Sequence, residues 1–195
     1  IIATVQSSVA QLDFHHEAGL SALFTTYASA GAGTYWARLN FVEISDDLAL
    51  SGSAIPSLGG HFSSQGGSSL ALDLPLTIDI NFGNRATKNA NSAIGAFAGA
   101  GFGYNFIGGE FGSSSSVGPL VQGGVRSTFE WQGTKHHLTL RVSFLFGIGG
   151  TDDTATATEN TDNVVIINGS DESDISLFDS NPNVIGIGLI YGFGY

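Results

Sequence analysis

The chain contains no cysteine, no methionine and only four prolines, and six of its 195 residues are basic. Without cysteine there is no disulfide framework, no thiolate chemistry and no thiolate metal site. Six scattered Lys and Arg against seventeen Asp and Glu give a formal charge of −11, which argues against a phosphate-binding surface and so against nucleic acid as a partner. With even an initiating methionine missing, Ile1 is expected to be the start of a processed chain whose export signal has been removed. No stretch reaches the roughly eighteen consecutive apolar residues of a transmembrane helix, so a membrane role has to be carried by strands. Charged residues make up 12% of the chain, half of the roughly 25% usual in soluble domains.

What the chain does have is period-two alternation. In residues 69–82, Leu70, Leu72, Leu74, Leu76, Ile78, Ile80 and Phe82 share one face of an extended strand, because successive side chains point to opposite sides. The other face is small or polar. Such a strand is longer than the usual five to six residues or so, and about long enough to cross a bilayer at a tilt. Residues 137–149 repeat the pattern with Leu138, Leu140, Val142, Phe144, Phe146 and Ile148, and 184–195 with Ile185, Ile187, Leu189, Tyr191, Phe193 and Tyr195. Residues 94–106 alternate Ile94, Ala96, Ala98, Ala100, Phe102, Tyr104 and Phe106 with glycine. Weaker versions occupy 120–131, 35–43 and 17–27.

These seven segments predict an all-β, antiparallel up-and-down transmembrane barrel. An even strand count is needed, so an eighth strand is assigned to about residues 2–13. The connections are then 28–33, 46–67, 83–92, 108–117, 132–136 and 150–183. Short turns on the periplasmic side and longer loops outside place 28–33, 83–92, 132–136 and the C-terminus in the periplasm. The whole chain, 1–195, is expected to be one barrel domain with a long acidic extracellular loop at about 150–183.

A soluble sandwich or barrel is the competing reading, with the apolar face turned inward. Glycine weighs against it. A solvent-facing side would carry Lys, Glu, Thr and Gln, whereas the polar faces here carry Gly, Ser, Asn and a few charges of both signs, as suits a cramped, partly polar lumen. No basic residue falls on an apolar face, where a charge would cost about 2–4 kcal/mol near the bilayer midplane.

The order SLALDLPLTIDINFGN, IGAFAGAGFGYNF, GPLVQGGVRSTFEWQGTKHHLTLRVSFLFGI and a terminal VIGIGLIYGFGY resembles the small outer-membrane β-barrel proteins of the OmpX/OmpA-like and PorT-like group. The likeness covers about residues 68–195 well and 1–67 poorly. It implies localisation in a bacterial outer membrane, contact with outer-membrane lipid and delivery by the outer-membrane assembly machinery. Tyr191, Phe193 and Tyr195 are similar to the C-terminal assembly signal of that group, which more often ends in Phe.

Eight strands leave an interior just wide enough for side chains to fill it. Glu17, Arg38, Asp73, Asp79, Arg126, Glu130 and Arg141 are assigned to a polar network in the lumen, because buried charges need partners. Pro75 deletes a ladder donor and predicts a local kink. The histidine pairs His15-His16 and His136-His137 point to opposite faces and form no two-ligand site within a strand; His15 and His16 are placed in a short extracellular turn. Asp152, Asp153, Glu159, Asp162, Asp171, Glu172, Asp174 and Asp179 make 150–183 a segment with eight acids and no base, a candidate for a cation or partner, with the apolar run Val164–Ile167 inside it. It lacks the spacing of an EF-hand. No GxSxG serine or other catalytic arrangement stands out, so no enzyme and no cofactor are expected. The function expected is structural or interactive, through loops that meet another envelope protein. A small solute or ion channel, single or oligomeric, is the second reading and a membrane-embedded enzyme the third.

Overall fold

The structure, a computed structural model, describes residues 12–25, 29–62, 68–109, 112–149, 152–154, 157–159, 165–167 and 183–193. Its wall strands are β1 (Asp13–Phe24), β2 (Ser29–Ser45), β3 (Leu48–Ala54), β4 (Ser57–Phe62), β5 (Ser68–Gly83), β6 (Ile94–Gly109), β7 (Gly112–Trp131) and β8 (Thr134–Leu145). Three short strands follow, β9 (Asp152–Thr154), β10 (Ala157–Glu159) and β11 (Val165–Ile167), and then β12 (Val184–Phe193). Every pairing is antiparallel, and β12 pairs with both β8 and β1, which closes the sheet into a ring. A closed ring leaves no unpaired edge around its wall.

The ring has eight staves because β3 and β4 are two halves of one. Ala54 lies opposite Ala37 and Leu76, and Ser57 opposite Thr34 and Asp73, so both neighbours keep their register across the interruption at Ile55 and Pro56. Two prolines cause that interruption. Tyr35 N donates to Pro56 O at 2.9 Å and Ile55 N to Pro75 O at 3.1 Å, but the return bonds cannot form because proline has no N–H. The kink predicted at Pro75 therefore appears in the adjacent stave, while β5 itself runs unbroken.

This stave corrects the sequence reading. Residues 2–11 lie outside the described residues, and the ring closes without them; the eighth stave comes from 48–62, which had been assigned to a long loop. Its alternation is faint because Gly52 and Ala54 stand outward while Ile55 turns inward. One extra stave there reverses the end at which the first turn lies. The β1–β2 connection, now 25–28, shares an end with 63–67, 110–111 and the long segment after β8, whereas 46–47, 84–93, 132–133 and the end of β12 lie at the other.

Burial alternates along the staves. Leu70, Leu76, Ile78, Phe82, Ile94, Phe102, Val125 and Leu189 are exposed on the outside. Asp13, Glu17, Arg38, Asp73, Asp79, Arg126 and Arg141 are buried on the inside. Apolar clusters fill the remaining interior: Leu23, Ala30, Ala32, Ala71 and Ile107 with Leu120, Leu145 and Val184 toward the long-segment end, and Trp36, Ile55, Phe97 and Ile190 nearer the other.

Candidate functional site

All four arginines of the chain lie inside the barrel with four buried carboxylates, Asp13, Glu17, Asp73 and Asp79. The charges balance in number but do not pair directly as the sequence suggested. Among the described residues the one direct Arg–carboxylate contact is Arg85 Nη1 to Glu17 Oε1, 3.2 Å. Elsewhere neutral amides stand between the charges. Arg38 and Arg126 both donate to Asn81 Oδ1, at 3.0 and 2.8 Å. Arg141 Nε donates to Gln122 Oε1 at 2.7 Å, and Gln122 Nε2 donates to Asp79 Oδ1 at 2.7 Å, so one amide joins an arginine to an aspartate. Ser53 also donates to Asp79, and Asn105 to Asp73. The Arg126 guanidinium stacks on Trp36 and Phe97, its carbon 5.0 and 4.4 Å from the ring centroids, where the ring faces stabilise a desolvated cation. Glycines make the room. A Cβ at Gly99 would overlap the Asp79 carboxylate, and one at Gly192 would stand 2.6 Å from Arg85 Nη1.

Glu130 is the exception to the assigned network. It is exposed near the tip of the β7–β8 hairpin, opposite Lys135, because the last inward position of β7 is Thr128. Arg85 is the converse. It lies in the connection 83–92 assigned to the periplasm, yet it folds back into the mouth, its side chain 12% exposed. Residues 84–93 thereby close that end. Arg38 Nη2 donates to Arg85 O at 2.7 Å, Asn40 Nδ2 to Ala86 O at 2.9 Å, and Asn84 Nδ2 to Ser92 O at 2.8 Å. Asn81, Gln122, Asn40 and Trp36 escaped the sequence reading because they carry no charge. Their signal was position: each sits on the same inward row as the charges.

The histidines obey the alternation, with His15 and His137 turned inward and His16 and His136 outward. His15 is not in an extracellular turn but in β1, at the closed mouth, 2.7 Å from Asp13 Oδ2. No three His, Asp or Glu side chains converge on a common point among the described residues. Outside the same mouth His136 contacts Phe129, Trp131 and the Tyr191 hydroxyl, and Tyr35, His16 and Phe14 form a second aromatic group. Phe193 continues the ladder opposite His136, and Tyr195 lies outside the described residues.

At the opposite end the acidic segment begins as wall. Asp152 and Asp153 belong to β9, which runs beside Gly112–Ser114 of β7, and Glu159 ends β10, paired with β11. Val165–Ile167 thus pairs within the segment. Asp162, Val164, Asp171, Glu172, Asp174 and Asp179 lie outside the described residues.

No family model and no curated protein matches the sequence. Among solved structures the chain is similar to Ail, the attachment invasion locus protein of Yersinia pestis, whose structure was determined with the heparin analogue sucrose octasulfate: TM-score 0.51, 13% identity, 94% of this chain and 99% of that one covered. The fold is that of the small outer-membrane β-barrels. This barrel also aligns with Neisserial surface protein A, NspA, at a TM-score of 0.46 and 12% identity, over 93% of this chain and 96% of that one. At 13% identity the likeness to Ail speaks to the barrel's architecture alone and leaves its ligands to be argued from its own residues.

Proposed function

We propose that this barrel is an integral outer-membrane protein that acts through the loops at its long-segment end, where it binds a basic partner. The single observation behind the membrane reading is the inverted distribution of side chains: arginines and aspartates are buried, and a continuous band of Leu, Ile, Val and Phe is exposed around a closed ring. In lipid a closed barrel satisfies every wall backbone group internally, and such a band loses nothing by facing hydrocarbon. The aromatic groups at the closed mouth suit a membrane–water interface, where Tyr and Trp rings concentrate.

The choice of partner rests on charge. The connections at the long-segment end include Glu110 and the eight acids of 150–183, and no Lys or Arg. Nine like charges repel one another unless cations or a basic surface neutralise them. Sucrose octasulfate is a polyanion, so what Ail was crystallised with does not suit this end; a basic protein surface does. The packed interior favours this reading over the channel, since Trp36, Arg126, Arg141, Leu23, Ile55, Leu145 and Ile190 are all less than 2% exposed or at that limit. Deleting residues 152–180 should leave a folded, heat-modifiable barrel that has lost its copurifying envelope partner. Retention of the partner by the deletion variant would move the binding surface elsewhere, and open-channel currents from the intact barrel in planar bilayers would favour the channel.

A further inference from the structure

The mouth closed by residues 84–93 is not flush. Between that segment, the start of β1 and the tip of the β7–β8 hairpin lies a cavity of about 550 Å³, and both lysines of the chain, Lys88 and Lys135, line it. Most of the other charge around it is already matched. Arg85 holds Glu17, and His15 Nε2 stands 2.7 Å from Asp13 Oδ2. Lys88 Nζ is 3.7 Å from Asp13 Oδ1, too far for a hydrogen bond, and its side chain is 51% exposed. Strand geometry places the remaining two charges. Thr128 and His137 are cross-strand neighbours whose side chains turn inward and meet at 2.7 Å. Glu130 and Lys135 are the next pair on that face, two residues farther along each strand, so they stand over the cavity at its rim. Both are exposed, and among the described residues neither forms an ion pair. Directly opposed residues have Cβ atoms about 4.5–5.5 Å apart, which keeps one positive and one negative group side by side.

We infer that this mouth binds a free amino acid through the ammonium and carboxylate groups on its α-carbon. A simple anion would meet Glu130 and Asp13 there, and a simple cation would meet Lys88 and Lys135; a ligand with both signs on one carbon satisfies both. Glu130 takes the ammonium group. Lys135 takes the carboxylate, and Lys88 supplies a second donor by moving off its long contact with Asp13. Hydrogen bonds between ionised partners are the stronger class, whereas an exposed Glu130–Lys135 pair contributes little, so a ligand separates the two at small cost. The two ends of an extended peptide lie too far apart to reach both tips. The ligand's side chain has the rest of the cavity, beside Ala90, Ala93 and Phe129. In the proposed orientation the site opens to the periplasm, at the opposite end from the acidic segment, and does not depend on what that segment binds.

The test uses the full-length protein in nanodiscs of phosphatidylglycerol, whose headgroup carries no ammonium. Saturation-transfer NMR with an equimolar mixture of the twenty protein amino acids reports each by its own signals. At least one should receive saturation from the wild type. Its N-acetyl and carboxamide forms, each lacking one charge, should receive at least fivefold less. Glu130→Gln and Lys135→Gln should each lower the signal at least fivefold, while Asp46→Asn, exposed at the same end but outside the cavity, should leave it unchanged. The blocked forms make the same point on unmodified protein, so the result does not hang on a variant that fails to fold. Saturation of no amino acid, equal saturation of the blocked forms, or equal signals from the wild type and both Gln variants overturns the inference. Loss of the signal when phosphatidylethanolamine is added to the discs would assign the same pair of charges to that headgroup and overturn it too.

Discussion

Arg141 is 1% exposed, and its nearest acceptor is a neutral amide. Its charge is balanced at a distance by Asp79, through Gln122, so removing it leaves a buried carboxylate without compensation. Removing one member of a buried charge pair costs about 3–5 kcal/mol, and Arg141→Leu should lose stability in that range when unfolding is followed in urea with detergent micelles. Lys135→Leu, at an exposed position, should leave the midpoint where it is. Gln122→Leu separates the two readings of the lumen: if the amide joins the charges, its loss costs about 1.5–3 kcal/mol for each charge-assisted bond, and if the charges interact regardless, the midpoint stays put. Gly99→Ala should also destabilise, because its methyl group takes the space of the Asp79 carboxylate.

Among the elements, the divided stave and the β7–β8 hairpin carry the clearest consequences. Pro56→Ala restores the N–H that faces the Tyr35 carbonyl, so the ladder to β2 should run unbroken through position 56, while Pro75 still interrupts the ladder to β5. Hydrogen exchange should then show a protected amide at position 56; rapid exchange there would mean that the break on the β2 side has a cause other than Pro56. In the hairpin, Gln132 and Gly133 have φ of 52° and 77°, the left-handed conformation of a two-residue turn matched to the twist of its strands. A β-branched residue is strained there, so Gly133→Val should cost about 1–2 kcal/mol, and Gln132→Asn should be tolerated.

For the whole molecule, closure is the testable property. A ring without edges resists detergent, so unheated protein should migrate differently from boiled protein in SDS and should show β-rich circular dichroism in micelles. Orientation follows from stave count. An epitope at Asp171 should be reached by antibody on intact cells, and one at Gly133 should not; reversed labelling would put the acidic segment in the periplasm. A label in the β1–β2 connection, near Ala28, should now behave like Asp171, the opposite of what the alternation alone had assigned.

By itself the sequence determined the faces. Alternation is a property of neighbouring residues in one extended chain, so Leu70 to Phe82 could be placed on one side, the arginines Arg38, Arg126 and Arg141 on the other, and His136 opposite His137 without knowledge of any partner strand. Where alternation was weakened by Gly52, Ala54 and an inward Ile55, a stave was read as a loop, and the end at which the first turn lies was inverted with it. Tertiary structure alone decided which groups meet across the lumen. Arg38 reaches Asn81, Glu17 reaches Arg85 and Thr139 reaches Glu17 across sequence separations of 43 to 122 residues. Those separations carry no local signal, because what brings the side chains together is the closure of the ring and the relative register of its staves, both fixed by pairing between segments far apart in the chain.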